Sequence, residues 1–107
     1  MEKRLKVVFD EEALEDIENI RDYIGQFNIM SARRIVDEIF DVINNYLSRN
    51  PFGGASMEIR TGIKSNYRTF LATPNYIIIY EPEPTRINIL RVAHAKQDWT
   101  RWNFGGV

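Results

Sequence analysis

The sequence predicts an α+β fold in which a hairpin of two helices packs as one layer on a mostly antiparallel sheet of four or five strands. Three observations predict it. Two stretches in the first half carry apolar residues at alternating spacings of three and four, the signature of amphipathic helices. The second half instead carries short runs rich in Ile, Val and Tyr, separated by turns containing proline and glycine. The order is β-α-α-β-β-β, with room for one more strand, and no linker or internal repeat divides the chain. With 107 residues, 44% of them hydrophobic, the chain reads as one domain over 1–107, large enough to bury a core without cross-links.

Leu5, Val7 and Phe9 alternate with Arg4, Lys6 and Val8, the period of a half-buried strand that stops at Asp10. Asp10 has the chemistry of an N-cap, and Glu11 and Glu12 favour the positive end of the following helix. Ala13, Ile17, Ile20, Ile24 and Phe27 then form one helical stripe, while Glu11, Glu15, Glu18 and Asp22 form an acidic stripe opposite it, expected to be solvated. Asn28 is the expected cap of a second helix running to about Arg49. Its apolar positions, from Ile29 and Ala32 to Tyr46 and Leu47, span an arc of roughly 160°, wider than one contact needs. Such a helix touches the first helix on one flank and the sheet on the other.

Asn50-Pro51 ends that helix, and Gly53-Gly54 opens a loop. A short strand is expected at Met57–Arg60 and a longer one at Tyr67–Ala72. After the Thr73-Pro74-Asn75 turn, Tyr76-Ile77-Ile78-Ile79-Tyr80 is apolar at every position, so it belongs in the middle of the sheet, buried on both faces. A Pro-containing turn at Glu81–Thr85 leads to a last strand, Arg86–Ala93, and then to a tail with Trp99, Trp102 and Phe104.

Composition excludes several chemistries. There is no cysteine, hence no disulfide, thiolate nucleophile or sulfur-based zinc site, and the cytosol is the expected compartment. A single histidine makes no His-based metal site, no glycine-rich phosphate loop is present, and no cofactor or metal is expected. No apolar run is long enough for a membrane span. The formal charge of −1 hides an asymmetry: residues 1–57 hold seven Lys/Arg against eleven Asp/Glu, and residues 58–107 hold seven against four.

The candidates for anion or target contact are therefore Arg60, Lys64, Arg68, Arg91, Lys96 and Arg101. They either converge on one part of the sheet or are scattered, solvated edge residues, and strand register decides which. His94 is the single histidine, the residue type suited to proton transfer near neutral pH, so it is either an acid–base group for phosphodiester cleavage or a hydrogen-bonding residue at a strand end. Trp99, Trp102 and Phe104 either dock back on the domain or anchor a partner.

These residues resemble the RelE/ParE superfamily of bacterial toxins from type II toxin–antitoxin modules, also called plasmid stabilisation proteins. The likeness is carried by Ala13-x-x-Asp16-Ile17-x-x-Ile20-x-x-Tyr23-Ile24, by Ala32, and by Leu47 before Pro51 and Gly53. It continues through Arg68, Tyr76–Tyr80, Ile89-Leu90-Arg91-Val92-Ala93-His94-Ala95 and Asp98. The resemblance implies the RelE-like two-layer fold and a cognate antitoxin that wraps the chain, with a homodimer or larger toxin–antitoxin assembly compatible with it. It also implies one of two activities: inhibition of DNA gyrase by binding, as in the ParE branch, or ribosome-dependent cleavage of mRNA, as in the RelE branch. The tyrosine-rich strand and the Arg-Val-Ala-His-Ala segment look more like the ParE branch. Ile59 and Thr61 stand where the nuclease pattern puts lysines, so a nuclease here would have to use Arg68, Arg91 and His94. A third outcome is a degenerate member that only binds antitoxin.

Overall fold

A computed structural model describes residues 4–62 and 64–102, though not the side chains of Arg60 and Arg101; Phe104 lies outside the described residues. Five strands form one sheet in the order β1-β5-β4-β3-β2, comprising β1 (Lys6–Phe9), β2 (Ala55–Ser56), β3 (Arg68–Thr73), β4 (Tyr76–Pro82) and β5 (Arg86–His94). All pairings are antiparallel except β1 with β5, which run parallel because the helical hairpin, α1 (Glu11–Gly25) and α2 (Ile29–Asp41), carries the chain away from β1. The expected α+β architecture is the observed one.

The helices form for the reasons their spacing gives. Ala13, Ile17 and Ile20 of α1 and Ala32, Val36 and Ile39 of α2 are buried. The Asn28 side chain accepts the Ser31 N–H at 2.9 Å, capping α2 as expected. Asp10 occupies the N-cap of α1, yet its side chain makes no capping bond. Phe27, placed on the α1 stripe by spacing, is 75% exposed, because α1 ends at Gly25 and the chain has already turned. The second helix is not one regular rod: Val42–Leu47 forms a π turn, which still delivers Ile43 and Leu47 to the core.

The doubly apolar β4 sits at the centre of the sheet and divides two cores. Tyr76, Ile78 and Tyr80 face the helices together with Ile87, Ile89 and Val92 of β5. Ile77 and Ile79 face the other side, where Met57, Leu90, Ala93 and Trp99 complete a smaller core. A bulge makes this possible. Ile79 pairs with Arg91 and Tyr80 with Ile89, so Leu90 is an extra residue and the alternation of faces shifts after it. Ile89 and Val92, three apart, therefore share one core, while Leu90 and Ala93 share the other.

The expected strand at Met57–Arg60 is corrected to a five-residue helix, α3 (Met57–Thr61). Its entry still continues the sheet, since the Met57 N–H donates to the Tyr67 carbonyl at 2.9 Å, but Met57 turns into the second core and Ile59 points to solvent. Gly62, at φ 76°, ends it in the left-handed conformation that glycine adopts without strain.

One buried bond ties the hairpin end to the sheet: the Gly54 N–H donates to the Tyr80 hydroxyl at 2.9 Å. Tyr80 is fully buried, so burial raises its pKa, opposed by the bond to Gly54 and the nearby Arg68 charge. Tyr80→Phe leaves that N–H without an acceptor and is expected to cost about 1–3 kcal/mol in a urea denaturation measurement. A β-carbon on Gly54 would lie 2.5 Å from the Thr69 carbonyl oxygen, so Gly54→Ala is expected to destabilise by a similar amount, about 1–3 kcal/mol.

Candidate functional site

β1 covers β5 only as far as Ile89, so beyond that residue β5 presents an open edge towards α1. A strand edge exposes backbone donors that need acceptors. Here side chains supply them. The Asp16 carboxylate of α1 accepts the Val92 N–H at 2.9 Å, and the Gln97 amide oxygen accepts the His94 N–H at 2.8 Å.

Asp16 also grips Arg91 with both oxygens: Nε donates at 2.7 Å and Nη2 at 3.0 Å, the bidentate fork geometry of strong guanidinium–carboxylate pairs. The third nitrogen lies 3.3 Å from Glu12, and Trp102 stacks over the guanidinium with its ring centre 4.0 Å from Cζ. The hydrogen bond to Asp16 raises the Arg91 pKa, against the opposing effect of burial and helped by the charges of Asp16, Glu12 and Glu15. Arg91 is thus a fixed cation, each of whose three nitrogens faces a carboxylate of α1.

Beside this pair lies a cleft of about 740 Å³ between α1, the end of β5 and the β3–β4 turn. Ile20, Ile24 and Ile35 line its apolar side, and Asn19, Tyr23, Asn75, Tyr76, His94 and Gln97 bring polar groups to it. It combines an apolar side with several amides and hydroxyls, a composition that binding clefts share. Within it the His94 ring stands edge-on to Tyr76 at 5.3 Å, and its Nδ1 accepts the Lys96 backbone N–H at 3.1 Å. That bond assigns the proton of the neutral ring to Nε2. Burial, and secondarily Tyr23, raises the Tyr76 pKa, keeping it a neutral phenol at physiological pH.

Of the residues singled out by sequence, Arg91, His94 and Trp102 meet at this cleft. Arg68 does not. It lies on β3, separated from β5 by β4, with backbones about 10 Å apart at the usual strand spacing. Its guanidinium donates to the Gly54 carbonyl at 2.8 Å and the Phe52 carbonyl at 3.4 Å and sits 5.0 Å above the Phe52 ring, pinning the loop after the second helix. Lys64 and Lys96 are exposed on separate loops. Where they are described, then, the candidate cations are scattered and do not form one cluster. Trp99 is buried in the second core, so it belongs to the group of aromatics that dock back.

Asp16, Asn19, Tyr23, Asn75, Tyr76 and Gln97 complete the cleft and were not among the candidate residues of the sequence. One signal pointed to Asp16. It follows Ala13 by three and precedes Ile20 by four, which puts a carboxylate on the border of the buried stripe instead of on the acidic face.

A family model described as the ParE toxin of type II toxin–antitoxin systems, parDE, matches residues 7–99. The toxin RelE2 of Caulobacter vibrioides is 30% identical over 93 residues, covering 84% of this chain and 94% of that relative. Among solved structures, a chain of the RelBE2 toxin–antitoxin complex from Mycobacterium tuberculosis superposes with a TM-score of 0.64 at 19% identity, over 91% of this chain and 100% of that one. A chain of the chromosomal ParDE system of Pseudomonas aeruginosa superposes with a TM-score of 0.69 at 20% identity, over 87% and 98%. The two structures share the fold described above.

Asp16→Ala removes three acceptor contacts at once and is expected to destabilise the chain by about 3 kcal/mol, because Arg91 loses its main partner in a partly buried setting. Asp16→Asn retains an oxygen for the Val92 N–H and is expected to lose less. Amide hydrogen exchange at Val92 reads the same bond directly, accelerating in the alanine variant more than in the asparagine variant.

Proposed function

Since the chain belongs to the ParE toxin family of type II toxin–antitoxin systems, within the RelE/ParE superfamily, we propose that it arrests growth by binding and inhibiting DNA gyrase and is neutralised by a cognate antitoxin. One observation carries the choice of binding over hydrolysis. The two arginines that a nuclease would use are both engaged in internal bonds, Arg91 by Asp16 and Glu12 and Arg68 by the carbonyls of Phe52 and Gly54, on opposite sides of β4. Cleavage at a phosphodiester needs cations free to stabilise the charge that develops on phosphorus-bound oxygens. Positions 59 and 61 add none, being Ile and Thr on α3.

A protein partner suits the surface better. Tyr23, Phe27, Ile29 and Met30, each 62–75% exposed, gather at the tip of the helical hairpin, an apolar cap that a solvated domain has no reason to keep. An amphipathic antitoxin helix would bury it. The likeness to a toxin named RelE2 supports the alternative, a ribosome-dependent endoribonuclease using Arg68, Arg91 and His94.

Gyrase supercoiling assays with the purified toxin, run beside toeprinting of translating ribosomes, separate the readings. Inhibited supercoiling with intact mRNA is the expected result, and cleaved mRNA with unaffected gyrase would overturn it. His94→Ala is expected to retain growth arrest on induction, since no proton transfer at that ring is required. A folded protein that inhibits neither target and causes no arrest is the degenerate member.

A further inference from the structure

The outer face of α2 carries four exposed charges in the order Arg33, Arg34, Asp37, Glu38, around a shallow depression of about 540 Å³ that Met30 and Asp41 also line. Residues four apart share a row on a helix, so Arg33 and Asp37 form one row and Arg34 and Glu38 its neighbour. Each row has its arginine nearer the N-terminus, the weaker orientation for an intrahelical pair. Neither pair closes among the described residues: the ion pairs there include Arg21–Glu18, Arg86–Glu83 and Arg91 with Glu12 and Asp16, but none of the four residues of these rows. The neighbouring Asp41, by contrast, is engaged by the Asn45 amide at 2.7 Å.

The order is self-complementary. Read backwards with the signs inverted, plus-plus-minus-minus is unchanged, and a two-fold axis performs that reversal. We propose that a second copy of the chain docks antiparallel on this face of α2, making four reciprocal ion pairs. With the axis perpendicular to both helices and level with the midpoint of residues 35 and 36, each row meets the same row of the other copy. Arg33 then faces the partner's Asp37, and Arg34 faces the partner's Glu38. Val36, buried beneath this face, and Ile35, partly buried, keep the helix seated on its own domain, so the outer charges are free to pair. No other antiparallel register matches all four, because moving one copy by a turn brings arginine against arginine or carboxylate against carboxylate. A dimer held by solvated charges is weak and salt-dependent.

Sedimentation velocity on the full-length toxin tests the surface. Self-association is expected at about 0.01 M ionic strength and its loss at about 1 M, where the screening length has fallen from about 30 Å to about 3 Å. The double variants R33E/R34E and D37R/E38R, each checked for folding by circular dichroism, are each expected to weaken association at least about tenfold. An equimolar mixture of the two restores opposite signs across the axis and is expected to form a heterodimer. A toxin that stays monomeric at low salt overturns the proposal. So does a dimer indifferent to both reversals, which would place the contact on another face, and so does a mixture in which the two variants fail to associate.

Discussion

The Asp16 carboxylate holds the two layers together at a place where the sheet does not close itself. β5 is longer than its neighbour β1, so its last residues would expose backbone donors along a free edge. Asp16 accepts one of these donors and fixes a guanidinium from the same strand, while its own helix is anchored by Ala13, Ile17 and Ile20. The pair is only partly buried, with side-chain exposures of 23% and 15%. The desolvation it suffers is therefore smaller than in a closed core, while the hydrogen bonds keep their geometry. Trp102 closes over the outer face of Arg91, so the same ion pair also positions the chain's return after β5.

The rest of the architecture follows from placing an apolar strand in the centre. β4 needs cover on both faces, and the hairpin covers only one. Met57 from α3 and Trp99 from the final turn supply the other cover. The bulge at Leu90 serves both cores, because without it Val92 and Ala93 would each face the wrong layer. Short helices and turns that look like connectors are thus structural caps of a second, smaller core.

Periodicity made the two helices, the edge strand β1 and the central place of β4 legible, since each depends on residues near one another in sequence. What depended on distant partners was not legible. Met57–Thr61 has the alternation of a strand, yet it folds as a helix because Met57 is drawn into a core built by β4, β5 and Trp99. The parallel pairing of β1 with β5 and the extra residue at Leu90 are register facts, invisible without the partner strand. At the site, Arg91, His94 and Trp102 were readable as chemistry-bearing residues. Asp16 was one carboxylate among several on an acidic helix, and only the end of β1 gives it something to bind.

Register also decides how much of the chain's charge is available. The excess of Lys and Arg in residues 58–107 suggested a basic surface for a polyanion. Of the five whose side chains are described, three are committed internally: Arg68 to backbone carbonyls, Arg86 to Glu83 at 3.2 Å, and Arg91 to Asp16 and Glu12. Lys64 and Lys96 are exposed, but on loops at different places in the fold. Binding nucleic acid depends on many cations acting together, because affinity scales with the number of phosphates neutralised at once. Charges already paired within the fold do not add to that number, and charges on separate loops add to it singly. Among the described residues, exposed apolar side chains gather at the hairpin tip, and the cleft beside it holds a cation already paired with Asp16 and Glu12. Both features are surfaces of the kind that a protein partner buries.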